Sequence, residues 1–173
     1  MRSHRNLQRV FFALWPDDAV RARLSGLARA IPADGRVVPA EHLHLTLAFP
    51  GTVASERVTA LIGCVSAVNG PPIPLRLDSL GYFAKPRIAW VGPSNPPDRL
   101  GELATVLQSI CRECGIALPE RPFRPHVSLR RSVNHFRPIS IEPLDWWASR
   151  VVLIESGQGG NPGPYRVLHE WLP

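Results

Sequence analysis

The sequence predicts an α+β fold of two pseudo-symmetric lobes, each an antiparallel sheet flanked by helices, facing one another across a central cleft. Three observations lead there. Two short runs, His44-Leu45-Thr46-Leu47 and His126-Val127-Ser128-Leu129, repeat the pattern histidine, apolar, hydroxyl, apolar 82 residues apart. Each run is preceded by the same order of elements, an apolar strand and then an amphipathic helix. The spacings also agree, with 32 residues from Phe12 to His44 and 37 from Ala89 to His126. A duplicated unit of this kind sets the two histidine strands opposite each other about a pseudo-twofold axis.

The elements follow from local pattern. Residues 9–15 (RVFFALW) form an apolar, aromatic run stopped by Pro16 and read as a buried strand. Asp17 and Asp18 open a helix to about residue 30, with Val20, Leu24, Leu27 and Ile31 at helical spacing. Residues 43–49 alternate as a strand until Pro50-Gly51 turns the chain, and Ser55 is placed to cap a helix over 55–68. Residues 73–83 and 87–91 read as a hairpin around Ala84-Lys85-Pro86, and 98–114 as a third helix. The proline-rich stretch 119–125 delivers the second histidine strand, 125–131. Strands at 139–141, 148–156 and 165–172 complete the pattern, with a glycine-rich loop at 157–164.

Length and composition restrict the class. With 173 residues, 45% hydrophobic and 20% charged, the chain suits a globular protein, expected as one bilobal domain over residues 1–173 and as a monomer. The apolar run at 10–15 is too short for a signal-peptide core, and no stretch reaches the roughly 20 apolar residues of a membrane span. A cytoplasmic protein without a membrane partner is the expectation. Cys64, Cys111 and Cys114 are odd in number, and the CxxC of Cys111 and Cys114 lies inside a helical pattern, so it reads as structural. Nineteen arginines and one lysine, Lys85, give a net charge of +6, which favours phosphate-bearing partners.

Histidine titrates near neutral pH, so a pair can divide acid and base work on a phosphodiester between them. In a strand each histidine shares a face with the hydroxyl two residues on, about 7 Å away at a rise of about 3.3 Å per residue. Thr46 and Ser128 are thereby placed to donate to phosphoryl oxygens. His42 shares the face of His44 by the same alternation, so a metal site of His42, His44 and His126 can be drawn, but no Asp or Glu stands near either run at a spacing that metal hydrolases use. The expectation is therefore no metal and no cofactor. His4, His135 and His169 carry no partner pattern. Strict alternation also puts Arg130 on the face of His126 and Ser128.

The chain resembles the 2H phosphoesterase superfamily and, within it, the RNA 2′,3′-cyclic phosphodiesterases once called 2′-5′ RNA ligases. The likeness rests on residues 9–14 (RVFFAL) with Pro16, residues 44–51 (HLTLAFPG), residues 124–129 (RPHVSL), and the tail Glu155-Ser156 with Gly163-Pro164-Tyr165. It covers nearly the whole chain. Two departures stand out: Phe49-Pro50-Gly51 where the family usually has Phe-Leu-Gly, and Ser128 where threonine is commoner. Serine keeps the hydroxyl donor.

The resemblance implies metal-independent hydrolysis of a terminal 2′,3′-cyclic phosphate to a 2′-phosphate. His44 would be the proton donor and His126 the proton acceptor; Thr46 and Ser128 would hold the phosphoryl oxygens. Phe49 falls where family members stack a base. The family's phosphate-binding arginine corresponds to Arg131, so both Arg130 and Arg131 stand as candidates. The expected partners are an RNA or oligonucleotide with a cyclic phosphate end, or a small cyclic nucleotide. Two rivals remain at this point: RNA ligation forming 2′-5′ linkages, and a non-catalytic RNA- or nucleotide-binding protein.

Overall fold

The computed structural model describes residues 6–65, 68, 70–158 and 163–172. His4 and the centre of the glycine-rich loop at 159–162 lie outside the described residues. Strand β1 (Leu7–Leu14) leads into helix α1 (Asp18–Ala30). Asp17 caps that helix by accepting the Val20 N–H at 2.8 Å. After the two-residue strand β2 (Arg36–Val37) and a 3₁₀ turn (Ala40–His42) come β3 (Leu45–Ala54) and α2 (Ser55–Cys64). Strands β4 (Ile73–Leu77), β5 (Ser79–Phe83) and β6 (Ile88–Gly92) precede α3 (Asp98–Glu113). The chain closes with β7 (Val127–Arg131), β8 (Leu144–Ala148), β9 (Val151–Gln158) and β10 (Tyr165–Trp171).

The expected α+β class and antiparallel halves are what the chain forms. One half runs β10-β9-β1-β3 and the other β7-β6-β5 with β2 alongside β7, while β4 and β8 pair separately. The halves meet between the two histidine strands through a single pair, Leu45 with Val127. These are the residues that come after each histidine, so the pseudo-twofold axis passes between them. Continuing that antiparallel register sets His44 opposite Ser128 and Thr46 opposite His126. The helices obey the same symmetry: α1 packs against β7 and α3 against β3, each under the other half's histidine strand. One continuous core, including Leu24, Leu45, Leu47, Leu107, Val127 and Leu129, lies beneath both strands.

Several boundaries differ from expectation, each for a local reason. Strand β3 does not turn at Pro50-Gly51 but continues to Ala54, because proline at a bulged position gives up no ladder hydrogen bond. The stretch 73–83 is two strands broken at Asp78, whose carboxylate accepts from the Ser94 N–H and hydroxyl at 2.8 Å each. That break sends β4 to pair with β8 and leaves β5 with β6. Residues 139–141 are not a strand, whereas Leu144–Ala148 is, with Leu144, Trp146 and Ala148 inward. Ser55 does not cap α2; its hydroxyl donates to the Asn6 carbonyl at 2.8 Å. That helix stops at Cys64, and positions 66 and 67 of the expected span lie outside the described residues.

Cys111 is buried and its thiol is pushed up to about 12, chiefly by desolvation, while Cys114 lies 3.6 Å from the Cys64 sulfur rather than pairing within the CxxC. No helix among the described residues is long and apolar enough to cross a membrane.

Candidate active site

The two histidines are held by the same device. His44 Nδ1 lies 2.6 Å from the carbonyl oxygen of His42, and His126 Nδ1 lies 2.7 Å from that of Arg124, each two residues upstream. A carbonyl only accepts, so Nδ1 carries the proton and donates, which leaves each Nε2 as the nitrogen able to take up or release a proton. His44 Nε2 sits 3.0 Å from the Thr46 hydroxyl, its strand-face neighbour. Aromatic rings fix the imidazole planes. Phe11 stacks on His44 with centroids 4.7 Å apart at 28°, and Phe83 meets His126 edge-on at 4.9 Å and 87°. Trp90 backs His126 from 6.2 Å, and it fits only because its partner across the strands is Gly81, where a Cβ would lie 2.0 Å from the indole.

A matched bulge lies just beyond each hydroxyl. In β3 one extra residue, Leu47, lies between the partners of Phe12 and Ala13; in β7 the extra residue is Leu129, between the partners of Ala89 and Trp90. Both are the third residue after their histidine. The bulge reverses the alternation, so Ala48 joins Leu47 in the core while Phe49, 43% exposed, emerges on the His44 face.

In β7 the same reversal separates the two arginines. Arg131 lines the cleft with His44 and Thr46. Arg130 turns to the opposite side, and its guanidinium donates to the carbonyls of Ala28 at 2.8 Å, Ala33 at 2.6 Å and Arg29 at 2.9 Å. It satisfies the C-terminal end of α1, which corrects the expectation from strict alternation that it faces the phosphate. Arg130→Ala should therefore cost about 2 kcal/mol of stability, read from the urea midpoint, because the half-buried carbonyls lose charged donors.

Two adjoining cavities open over these strands. One of about 710 Å³ holds His44, Thr46, Phe49 and Arg131 together with Arg9, Phe11, Arg36, His42 and Tyr165. The other, about 560 Å³, is lined by His126, Phe83, Lys85, Arg121 and Arg124. Thr46 and Phe49 line both. Burial pushes the His44 imidazole down to about 4, and the positive charges of Arg131, His126 and His42 add to that against the opposing Nδ1 bond. His126 is likewise lowered by burial and by Arg131. Arg131 thus acts electrostatically on both imidazoles.

These shifts link to stability with a definite sign. The folded chain binds these protons less readily than the unfolded chain, whose histidines titrate near 6.5. Stability is therefore full above about pH 6.5 and falls as pH drops toward 4, by up to about 3 kcal/mol through His44 alone. Denaturant titrations at pH 7.5 and pH 4.5 should show this loss shrinking in His44→Asn.

Residues 14–90 match the family described as LigT like Phosphoesterase. The RNA 2′,3′-cyclic phosphodiesterase of Escherichia coli strain K12 is 34% identical over 95% of this chain and 96% of its own length. The chain belongs to the LigT-like phosphoesterase family. The crystal structure of E. coli LigT in apo form superposes with a TM-score of 0.83 at 32% identity, covering 96% of this chain and 98% of that one. E. coli LigT complexed with 3′-AMP gives the same TM-score at 31% identity, with the same coverage.

Within this LigT-like fold the remaining candidate residues take separate places. His42 lines the same cavity as His44, with its ring stacked on Tyr165 at 4.0 Å and 25°. Among the described residues no group of three or more His, Cys, Asp or Glu is arranged to hold a metal ion. His135 is exposed and pairs with Asp34 at 3.0 Å, and His169 packs beside Trp171 at 4.5 Å. Sequence reasoning missed Arg9, whose guanidinium lies over the Phe49 ring at 5.1 Å, although its place two residues before Phe11 put both on one strand face. It also missed Arg21, which donates from α1 to the carbonyls of Ala40 at 2.5 Å and Leu43 at 3.3 Å and so positions the segment entering His44. Nothing in the helical pattern distinguishes that arginine from a solvated one.

Proposed function

We propose that this chain hydrolyses the terminal 2′,3′-cyclic phosphate of RNA, or of a small cyclic nucleotide, to a 2′-phosphate. The observation that carries this reading is the matched pair of imidazoles, each with Nδ1 tied to the carbonyl two residues upstream and Nε2 left for proton transfer. It is supported by the relatives named RNA 2′,3′-cyclic phosphodiesterase and by a phosphate-suited cleft with arginines and, among the described residues, no carboxylate in its lining.

In the proposed step His126 Nε2 takes a proton from water as its oxygen bonds to phosphorus. The P–O3′ bond breaks, and His44 Nε2 protonates the departing 3′ oxygen. The phosphate remains on the 2′ oxygen. Thr46 now donates to His44 Nε2; once that nitrogen carries a proton it is no acceptor, and the hydroxyl turns to a phosphoryl oxygen. Ser128, opposite His44 in the register, serves the same oxygens with Arg131. The anionic substrate offsets the cationic surroundings and raises the His44 pKa, so the donor is charged by binding its substrate. Phe49, 43% exposed, supplies the base-stacking surface, with the buried Phe11 ring behind it.

An RNA oligomer ending in a 2′,3′-cyclic phosphate, incubated with the chain and EDTA, tests the reading. Undiminished opening of the ring is expected. Loss of turnover on chelation, or binding without turnover, contradicts it, and a joined 2′-5′ product would instead identify the ligase direction.

A further inference from the structure

We propose that Arg36 binds the phosphodiester joining the last two nucleosides of the substrate, which makes an oligonucleotide end, rather than a mononucleotide, the preferred substrate. The proposal rests on the hydrolytic reading above. In an in-line displacement the departing 3′ oxygen lies toward His44, so the terminal ribose sits on the His44 side of the phosphorus. The 5′ oxygen of that ribose, and the RNA beyond it, then continue into the 710 Å³ cavity.

That cavity carries more positive charge than one cyclic phosphate requires. Arg9, Arg36 and Arg131 all line it, and among the described residues its lining contains no Asp or Glu. Arg9 lies over the face of Phe49, and Arg131, in the cavity with His44, acts by its charge on both histidines. Arg36 is left, paired directly across the strands from Arg131. Like charges in that relation repel, and neither arginine has a carboxylate partner among the described residues. An anion above the pair removes the repulsion.

The backbone is shaped for this placement. Gly35 adopts φ +82°, and a Cβ there would lie 2.5 Å from the Arg131 carbonyl oxygen, so only glycine lets β2 approach β7 closely enough to set Arg36 beside Arg131. Neighbouring strands lie about 4.8 Å apart, and two extended guanidinium groups at that separation can each take one of two consecutive phosphates. Among the described residues the sole side-chain bond of Arg36 is a long one, 3.5 Å to the Ser132 hydroxyl, which leaves its other donors available to a ligand.

The test compares Arg36→Gln with wild type on adenosine 2′,3′-cyclic phosphate, on the ApA dinucleotide with a 2′,3′-cyclic end, and on the same dinucleotide with an uncharged internal methylphosphonate. Arg36→Gln should lower kcat/KM for the charged dinucleotide about tenfold and leave the mononucleotide within about twofold. The methylphosphonate should abolish the difference between the two proteins. The slope of log kcat/KM against log salt for the dinucleotide should shrink by about 0.7 in Arg36→Gln. An equal loss on mono- and dinucleotide, or no loss on either, overturns the subsite. Calorimetric binding of ApA carrying a 2′-phosphate runs alongside. If wild type opens none of the cyclic substrates, the hydrolytic reading fails, and the subsite stands or falls on whether Arg36→Gln weakens that binding about tenfold.

Discussion

His44→Ala and His126→Ala should each lower kcat on a cyclic-phosphate RNA by about 10²- to 10⁴-fold while product binding stays within a few-fold. In the proposed step each substitution deletes the nitrogen that moves a proton, and neither removes the arginines or aromatics that line the cleft. The double variant should lose little more than the worse single variant, because acid and base act in one step and their effects do not add. The leaving group separates their roles. A phosphodiester whose leaving group is an aryl oxide of low pKa needs no proton on departure, so His44→Ala should regain most of its rate on that substrate and His126→Ala should not. Rescue of His126→Ala instead would reverse the assignment of acid and base. A non-catalytic binding protein would show no activity for any of these variants to lose.

Arg131→Gln should lower kcat/KM by about 10²-fold or more and move the pH optimum upward. The loss comes from removing a cation aimed at developing phosphoryl charge. The direction of the pH shift comes from position. Arg131 is a cause of the lowered pKa at both His44 and His126, so its removal lets both imidazoles hold protons at higher pH. In the wild type, both groups titrate below 6.5 in the free protein, so the bell of kcat/KM should peak on the acid side of 6.5. The bell of kcat should lie at higher pH, since bound phosphate stabilises both imidazolium forms. An acid-ward shift in Arg131→Gln, or an unmoved profile, would show that this arginine does not act on the pair.

Most of the architecture was legible because the hydrophobic period, and in α1 the capping residue, agree with it. Asp17, Val20 and Leu24 describe α1 in the sequence much as they do in space, and the repeat of His-x-Thr/Ser-x marks the two strands that pair at Leu45 and Val127. What stayed illegible depends on single residues of register. Alternation alone gives Arg130 the cleft and Phe49 the core. Bulges at Leu47 and Leu129 exchange those places, and nothing in either leucine marks it as the extra residue. The strand Leu144–Ala148 was hidden because its partner, β4, is freed only by the break at Asp78, a hydrogen-bonding event between residues 16 apart. Arg36 was unreadable for a similar reason: its neighbour Arg131 is distant in sequence, and a two-residue strand has no periodicity.

The phosphorus NMR spectrum of the product from one defined RNA with a 2′,3′-cyclic end tests the paired-histidine account most directly, since it reports at once that the ring opened and which bond broke. Wild type should give the terminal 2′-phosphate alone, with the signal vanishing on the same timescale in both His44→Ala and His126→Ala. A 3′-phosphate product, or an unchanged rate of ring opening in either histidine variant, would contradict it.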